Sequence, residues 1–356
     1  MRFIHMSDLH LGIAFDKRSQ TKTSFKSRSL EITERFFECL TLAKEENLDA
    51  LFITGDLFDH PHVPMRFVEQ VFTALGALPF PVFVTIGNHD DFLHNKAYQS
   101  IRSIANLYYF DHTHSHHYVN GFHVYGFSTA SFSEEKLREI NTRLDTSNIN
   151  VLCLHGEVFN PNDDHYLTSL NTLKSLNFDY IALGHIHKHQ FLTEKIAYAG
   201  NLEPFDFSEV TDKGFILGSL KPLKTKFVKT NKRHYHTVTL TLDENDDAHR
   251  LKTTLDQALT PAQKTSDFIR LILQGTRHPD LPIDEPLIEY LAQELYYLEV
   301  IDQTRLDYNL TALKDQYQGT IIETVISHHE HDPQSLEALH KALEVLLKSE
   351  VMGRDH

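Results

Sequence analysis

The chain has little sulfur, little positive charge and no long apolar run. Its 356 residues hold two cysteines, Cys39 and Cys153, each in an apolar stretch. Two such thiols exclude a disulfide framework or a Cys-rich structural zinc site, and fit free buried thiols in a reducing compartment. No apolar stretch reaches the length that spans a bilayer, so no membrane segment is expected. Residues 1–7 read as a strand rather than a charged-then-apolar signal layout, which predicts a cytoplasmic protein. Lys and Arg number 34 against 49 Asp and Glu, a net charge of −15. That balance excludes a protein that holds nucleic acid by overall positive charge, but leaves room for local basic patches. Bound cations would offset part of the excess acid.

What is present suits a soluble globular chain: 41% apolar and 23% charged residues, enough for two domains or one large domain with an appendage. Histidine stands out at 25 residues. A single histidine therefore says little, and spacing has to separate ligands from background.

The first half alternates strand and helix patterns. Apolar strands are predicted at 2–6, 50–54, 81–86, 150–154 and 179–183, and helices at 30–46 and 64–78. Asn120-Gly121 between alternating residues predicts a β-hairpin over 118–127. Further strands are expected at 195–200 and 214–220. This pattern predicts an α/β fold with a mixed sheet. A basic, polar stretch at 221–233 marks a boundary near residue 230. Beyond it the pattern reads strand 236–242, helix 247–259 and strand 267–273. A proline-rich turn over 278–286 comes next, then helices at 287–298, 310–327 and 333–351. Residues 1–230 are thus read as the catalytic domain. Residues 231–356 are read as a smaller α+β cap with a helical partner-binding region.

Five short motifs follow apolar strands: Asp8-Leu9-His10, Gly55-Asp56-Leu57-Phe58-Asp59, Gly87-Asn88-His89-Asp90, His155-Gly156 and Gly184-His185-Ile186-His187. Loops beyond the carboxyl ends of strands in an α/β sheet converge on one crevice, so motifs distant in sequence are expected to meet. Carboxylate, imidazole and amide oxygen suit manganese, iron or zinc. Two such ions about 3.5–4 Å apart clamp both oxygens of a phosphoryl displacement. Asp56, in a glycine-led turn, is the best candidate to bridge them. His89 follows Asn88, and adjacent residues rarely aim at one metal, so His89 is read as a catalytic acid or charge stabiliser. Asp59 is expected to hold the His89 imidazole in the required tautomer and raise its pKa.

Together these motifs resemble those of the calcineurin-like metallophosphoesterase superfamily over roughly residues 1–220. Met6-Ser7-Asp8-Leu9-His10-Leu11-Gly12, Tyr198-Ala199-Gly200-Asn201, Phe207-Ser208-Glu209 and Lys213-Gly214 narrow the resemblance to bacterial SbcD and YhaO-type DNA repair exonucleases. The resemblance implies a mixed β-sandwich flanked by helices. It implies one metal held by Asp8, His10, Asp56 and His187, and a second held by Asp56, Asn88, His155 and His185. His89 would be the catalytic histidine and manganese the activating metal. It also implies DNA cleavage, an SbcC-like coiled-coil ATPase partner and a possible homodimer. Asn201 departs from the serine more frequent there, and no matching motif lies beyond residue 230.

Other features have plainer readings beside their functional ones. Lys17, Arg18, Lys22, Lys26 and Arg28 follow the first motif and are candidates for DNA phosphate contact, against an ordinary solvated loop. The run Lys221, Lys224, Lys226, Lys229, Lys232 and Arg233 reads as an exposed strand face. His112, His114, His116 and His117 precede the hairpin and would point to alternate faces; His328, His329 and His331 read as solvated. Leu336, Leu339, Leu343, Leu346 and Leu347 form a helical apolar stripe, expected to pack inside the C-terminal domain, with partner docking as the rival. The function expected is a metal-dependent DNA nuclease of a repair complex. The alternatives are a small-nucleotide phosphodiesterase or phosphatase, and a non-catalytic scaffold.

Overall fold

The computed structural model describes residues 1–15, 25–90, 103–111, 113–243, 245–329 and 335–353. The chain divides into two compact units, Met1–Tyr235 and His236–His356.

The strands of the first unit begin with β1 (Arg2–Met6), β2 (Ala50–Thr54), β3 (Val82–Thr85), β4 (Leu107–Phe110), β5 (His116–Val119) and β6 (Phe122–Gly126). They continue with β7 (Ile149–His155), β8 (Tyr180–Gly184), β9 (Gln190–Thr193), β10 (Ile196–Tyr198), β11 (Gly214–Ser219) and β12 (Lys224–Lys229). Its helices are α1 (Phe25–Glu45), α2 (Met65–Gly76), α3 (Glu134–Thr142) and α4 (Leu170–Lys174). One sheet has the order β12-β11-β1-β2-β3-β4 and the other β5-β6-β7-β8-β10-β9. Strands β1 to β4 are parallel neighbours, as are β6, β7, β8 and β10, while β11, β12, β5 and β9 pair antiparallel.

Side-chain alternation explains the layers. Phe3, Ala50 and Phe52 point to a core shared with Val151, Cys153, Tyr180 and Ala182, so the two sheets pack face to face. Ile4, Met6, Leu51 and Ile53 point the other way, onto Phe36 and Leu40 of α1 and Val68, Phe72 and Leu75 of α2. Leu137 of α3 and Leu173 of α4 cover the outer face of the second sheet. Strands buried on both faces must be apolar throughout, which is why β2 and β3 read as unbroken apolar runs. The result is the helix-flanked mixed β-sandwich that the family resemblance implies. Both cysteines are buried and free, also as expected.

The second unit starts one residue into β13 (Tyr235–Leu242) and contains α5 (Ala248–Ala258), α6 (Pro261–Ser266), β14 (Phe268–Arg277), α7 (Glu285–Leu291), β15 (Tyr297–Asp302) and β16 (Arg305–Leu306). Helices α8 (Leu310–Gln316), α9 (Ile321–His329) and α10 (Leu336–Gly353) follow. Two helix predictions need correction here. The helix expected over 287–298 ends at Leu291, because Tyr297, Leu298 and Val300 pair in parallel with β14 and bury their side chains. The helix expected over 310–327 is two helices, parted near Gly319, whose φ of 78° suits glycine. Leu339 and Leu343 of α10 pack on Ile322 and Ile326 of α9.

Candidate metal centre

The five motifs lie where parallel strands deliver their carboxyl ends. The first two loops run side by side: the Asp8 N–H donates to the Gly55 carbonyl at 3.1 Å, His10 to Asp56 at 2.9 Å and Leu11 to Leu57 at 3.0 Å. Backbone strain concentrates here. Asp8, His10, Asp56 and His185 hold positive φ of 52°, 43°, 51° and 101°, each costing on the order of 1–3 kcal/mol that surrounding contacts must offset. Gly87 is required by proximity: a Cβ there would lie 2.2 Å from Asp56 Oδ1.

Two buried carboxylates form the centre. Asp8 accepts from the Ser7 hydroxyl at 2.6 Å and the His185 N–H at 2.8 Å. Asp56 Oδ1 accepts from the His89 N–H at 2.9 Å, and its Oδ2 lies 3.2 Å from His155 Nε2 and 3.7 Å from His10 Nε2. Three imidazoles share one arrangement: an oxygen engages Nδ1 of each. For His10 that oxygen is Asp59 Oδ1 at 3.1 Å, for His155 the Thr54 carbonyl at 2.8 Å, and for His187 Glu209 Oε1 at 2.6 Å. Asn88 Oδ1 lies 2.9 Å from His155 Nε2.

The donor set fits divalent cations. Asp8, His10 and His187 offer ligand atoms within 4.8 Å of one another, and so do Asp8, Asp56 and His155. His10 Nε2 is buried without a hydrogen-bond partner, which an apolar pocket would penalise and a cation would satisfy. The centre also draws positive charge. Burial alone would lower the His155 imidazole, but the Asp56 carboxylate beside it outweighs burial and holds it up at about 9. Burial alone would raise Asp56, but His155 and His10 hold it below the usual carboxylate range.

Asp8, His10, Asp56, Asn88, His155 and His187 thus lie together. His185 sits beside them, its ring 5.4 Å from that of His155, but outside the tight groups found among the described residues. Asn88 and His89 are exposed at the rim. Asp59 does meet His89, but through its main chain: the carbonyl accepts from His89 Nδ1 at 2.7 Å while the carboxylate serves His10. The contact expected of Asp59 with His89 is therefore made by its carbonyl rather than its carboxylate. Arg28 also departs from expectation. It is 1% exposed, bonded to Glu203 at 2.8 Å and to the Pro204 carbonyl at 2.8 Å, so it is no surface contact for DNA. Lys17, Arg18 and Lys22 lie outside the described residues, as does the side chain of Lys26.

One further residue organises the site without having been assigned a role from sequence. Asp90 accepts from the N–H groups of Leu57, Phe58 and Gly87 at 3.0–3.2 Å, tying the second motif to the third. Burial and the nearby Asp56 charge push its carboxyl up to about 6 against those three donors. Its place in Gly-Asn-His-Asp was the available signal.

Residues 1–189 match the model of the calcineurin-like phosphoesterase family, and the chain belongs to that family. It is a hydrolase of phosphoester bonds, of a kind whose site is typically a dinuclear metal centre. Among curated proteins it is similar to the uncharacterized metallophosphoesterase YhaO of Bacillus subtilis, at 25% identity over 91% of this chain and 87% of the relative. It is also similar to the DNA double-strand break repair protein Mre11 of Methanococcus maripaludis, at 28% identity over 62% of this chain and 63% of the relative. A solved dimetal phosphatase from Danio rerio aligns at 14% identity and a TM-score of 0.42, over 65% of this chain and 96% of that one. No described helix is long and apolar enough to cross a membrane.

Proposed function

We propose that the chain is a metal-dependent DNA nuclease, acting as the nuclease subunit of a repair complex with an SbcC-like coiled-coil ATPase. The observation that carries the reading is the pair of buried carboxylates, Asp8 and Asp56, met by His10, His155 and His187, each anchored through Nδ1. Asp8, His10, Asp56 and His187 are assigned to one cation and Asp56, Asn88, His155 and His185 to the other, with manganese as the metal. Two divalent cations bound there supply Lewis-acid activation of the phosphate and of water. The chain's own groups orient and transfer protons. His89, exposed at the rim, gives the proton of Nε2 to the leaving oxygen as an imidazolium, while Nδ1–H stays on the Asp59 carbonyl. Asp59 thereby steadies both His10 and His89 from one position in the loop.

DNA as substrate is supported by the name of the archaeal relative, which repairs double-strand breaks. Contact with DNA phosphates is assigned to Lys17, Arg18, Lys22 and Lys26, without Arg28. A cytoplasmic location and a possible homodimer belong to the same proposal. End-labelled linear DNA, single- and double-stranded, tests it. Manganese-dependent degradation is expected, reduced by roughly 10²–10⁴-fold in His89→Ala with manganese binding retained. Intact DNA alongside rapid cleavage of a small phosphodiester would replace the reading with that of a small-nucleotide phosphodiesterase. Failure to hydrolyse either, without bound metal, would favour the scaffold.

A further inference from the structure

Glu209 and Lys213 mark the sequence resemblance, yet neither takes part in the chemistry above. Both are folded against it. Glu209 divides its carboxylate between two tasks. Oε1 lies 2.6 Å from His187 Nδ1. Oε2 accepts from Asn201 Nδ2 at 2.8 Å, from the Phe205 N–H at 3.1 Å and from Lys213 Nζ at 2.9 Å. Lys213 is itself 1% exposed, and its ammonium also donates to the His187 main-chain carbonyl at 2.9 Å. One ion pair therefore grips His187 at both ring and backbone.

The chemistry of the groups dictates the consequence. A carboxylate only accepts hydrogen bonds, so a neutral His187 facing Oε1 carries its proton on Nδ1 and leaves Nε2 bare. Three donors saturate Oε2, which fixes the carboxylate plane and keeps Oε1 on the ring. His10 and His155 take their acceptors from within or beside the motifs, at Asp59 and Thr54. His187 takes its acceptor from a separate segment, 22 residues further along the chain.

We propose that the Glu209–Lys213 ion pair is the positioning device of the metal centre. It sets the tautomer and ring angle of His187 so that the ring's free nitrogen faces Asp8 and His10. This rests on the reading of His187 as a metal ligand, and adds what makes it one.

Glu209→Gln tests it with nearly the same shape. The Asn201, Phe205 and Lys213 donors refuse an amide NH₂ at the Oε2 position, so the NH₂ must face His187. That reverses the ring: Nδ1 becomes the acceptor and the proton moves to Nε2. The metal-free protein, in alkaline buffer where the imidazole is neutral, reports this directly in long-range ¹⁵N–¹H ring correlations, with His187 assigned by its loss in His187→Ala. Wild type is expected to show the Nδ1–H pattern and Glu209→Gln the Nε2–H pattern. Manganese binding by calorimetry should weaken by roughly 10–100-fold in Glu209→Gln. An Nε2–H ring in wild type overturns the proposal, and that measurement needs no variant at position 209 to fold. Unchanged affinity in Glu209→Gln, with a loss in His187→Ala, overturns the proposal alone. Unchanged affinity in His187→Ala overturns the ligand reading and the proposal with it.

Discussion

Arg28 shows how far a residue's role depends on partners that lie far along the chain. From sequence it is one of five cations after the first motif, and a natural contact for DNA. In the fold its guanidinium is enclosed against Glu203, 175 residues away, with a second bond to Glu31 at 3.1 Å. Arg28→Ala leaves Glu203, 1% exposed, without that partner. Stability should fall by about 1.5–3 kcal/mol, the usual cost of one charged hydrogen bond, because Glu203 keeps Arg35 at 3.4 Å and the Lys232 N–H at 2.8 Å. Urea denaturation reads this, and the salt dependence of DNA binding should stay as in wild type. A shallower salt slope with unchanged stability would return Arg28 to the DNA surface. His10, His155 and His187 carry the same lesson in a finer form. Their identity was legible in short motifs, but the oxygens that orient them come from Thr54, Asp59 and Glu209. Spacing says which residue types are near; it does not say which nitrogen faces the site.

At the level of elements, β1 carries a polar group into the core between the sheets. His5 is fully buried, with Nδ1 3.0 Å from the Tyr180 hydroxyl and Nε2 2.9 Å from Thr54 Oγ1. Burial pushes its imidazole down to about 3 from 6.5. The unfolded chain therefore takes up a proton near 6.5 that the folded chain refuses until far lower pH. This contribution is fully present above 6.5 and is lost as pH falls toward 3. The loss is on the order of 1.4 kcal/mol per pH unit. His5→Asn should flatten that acid slope in denaturation curves taken between pH 7 and about 4; an identical slope would contradict it. The strands β1, β2, β3, β7 and β8 were readable because burial on both faces leaves largely apolar runs closed by a motif or glycine. Strands β4 and β9 were not: Leu107–Phe110 and Gln190–Thr193 are four residues each and lie at sheet edges, where pairing rather than pattern makes them strands. The end of the helix expected over 287–298, which lies in β15, was misread for a related reason. Tyr297 and Leu298 fit either periodicity, and only β14 alongside decides between them.

For the whole molecule, the net charge of −15 and the metal centre belong to one account. Asp8 and Asp56 place two carboxylates within a buried site, and cations bound there would offset part of the excess acid. The sandwich holds this together because the parallel strands of its two mixed sheets carry the motifs at their carboxyl ends, joined across by the His155 bond to Thr54. In a phosphoester hydrolase of a family whose site is typically dinuclear, metal content and hydrolysis should move together. Purified protein, stripped by chelation and reloaded with manganese, is assayed for bound metal and for hydrolysis of a chromogenic phosphodiester in the same samples. Bound metal is expected to rise to about two ions per chain with hydrolysis rising in step, and both to be lost in Asp56→Asn. Hydrolysis that persists in the stripped protein, or in Asp56→Asn with no metal bound, would contradict it.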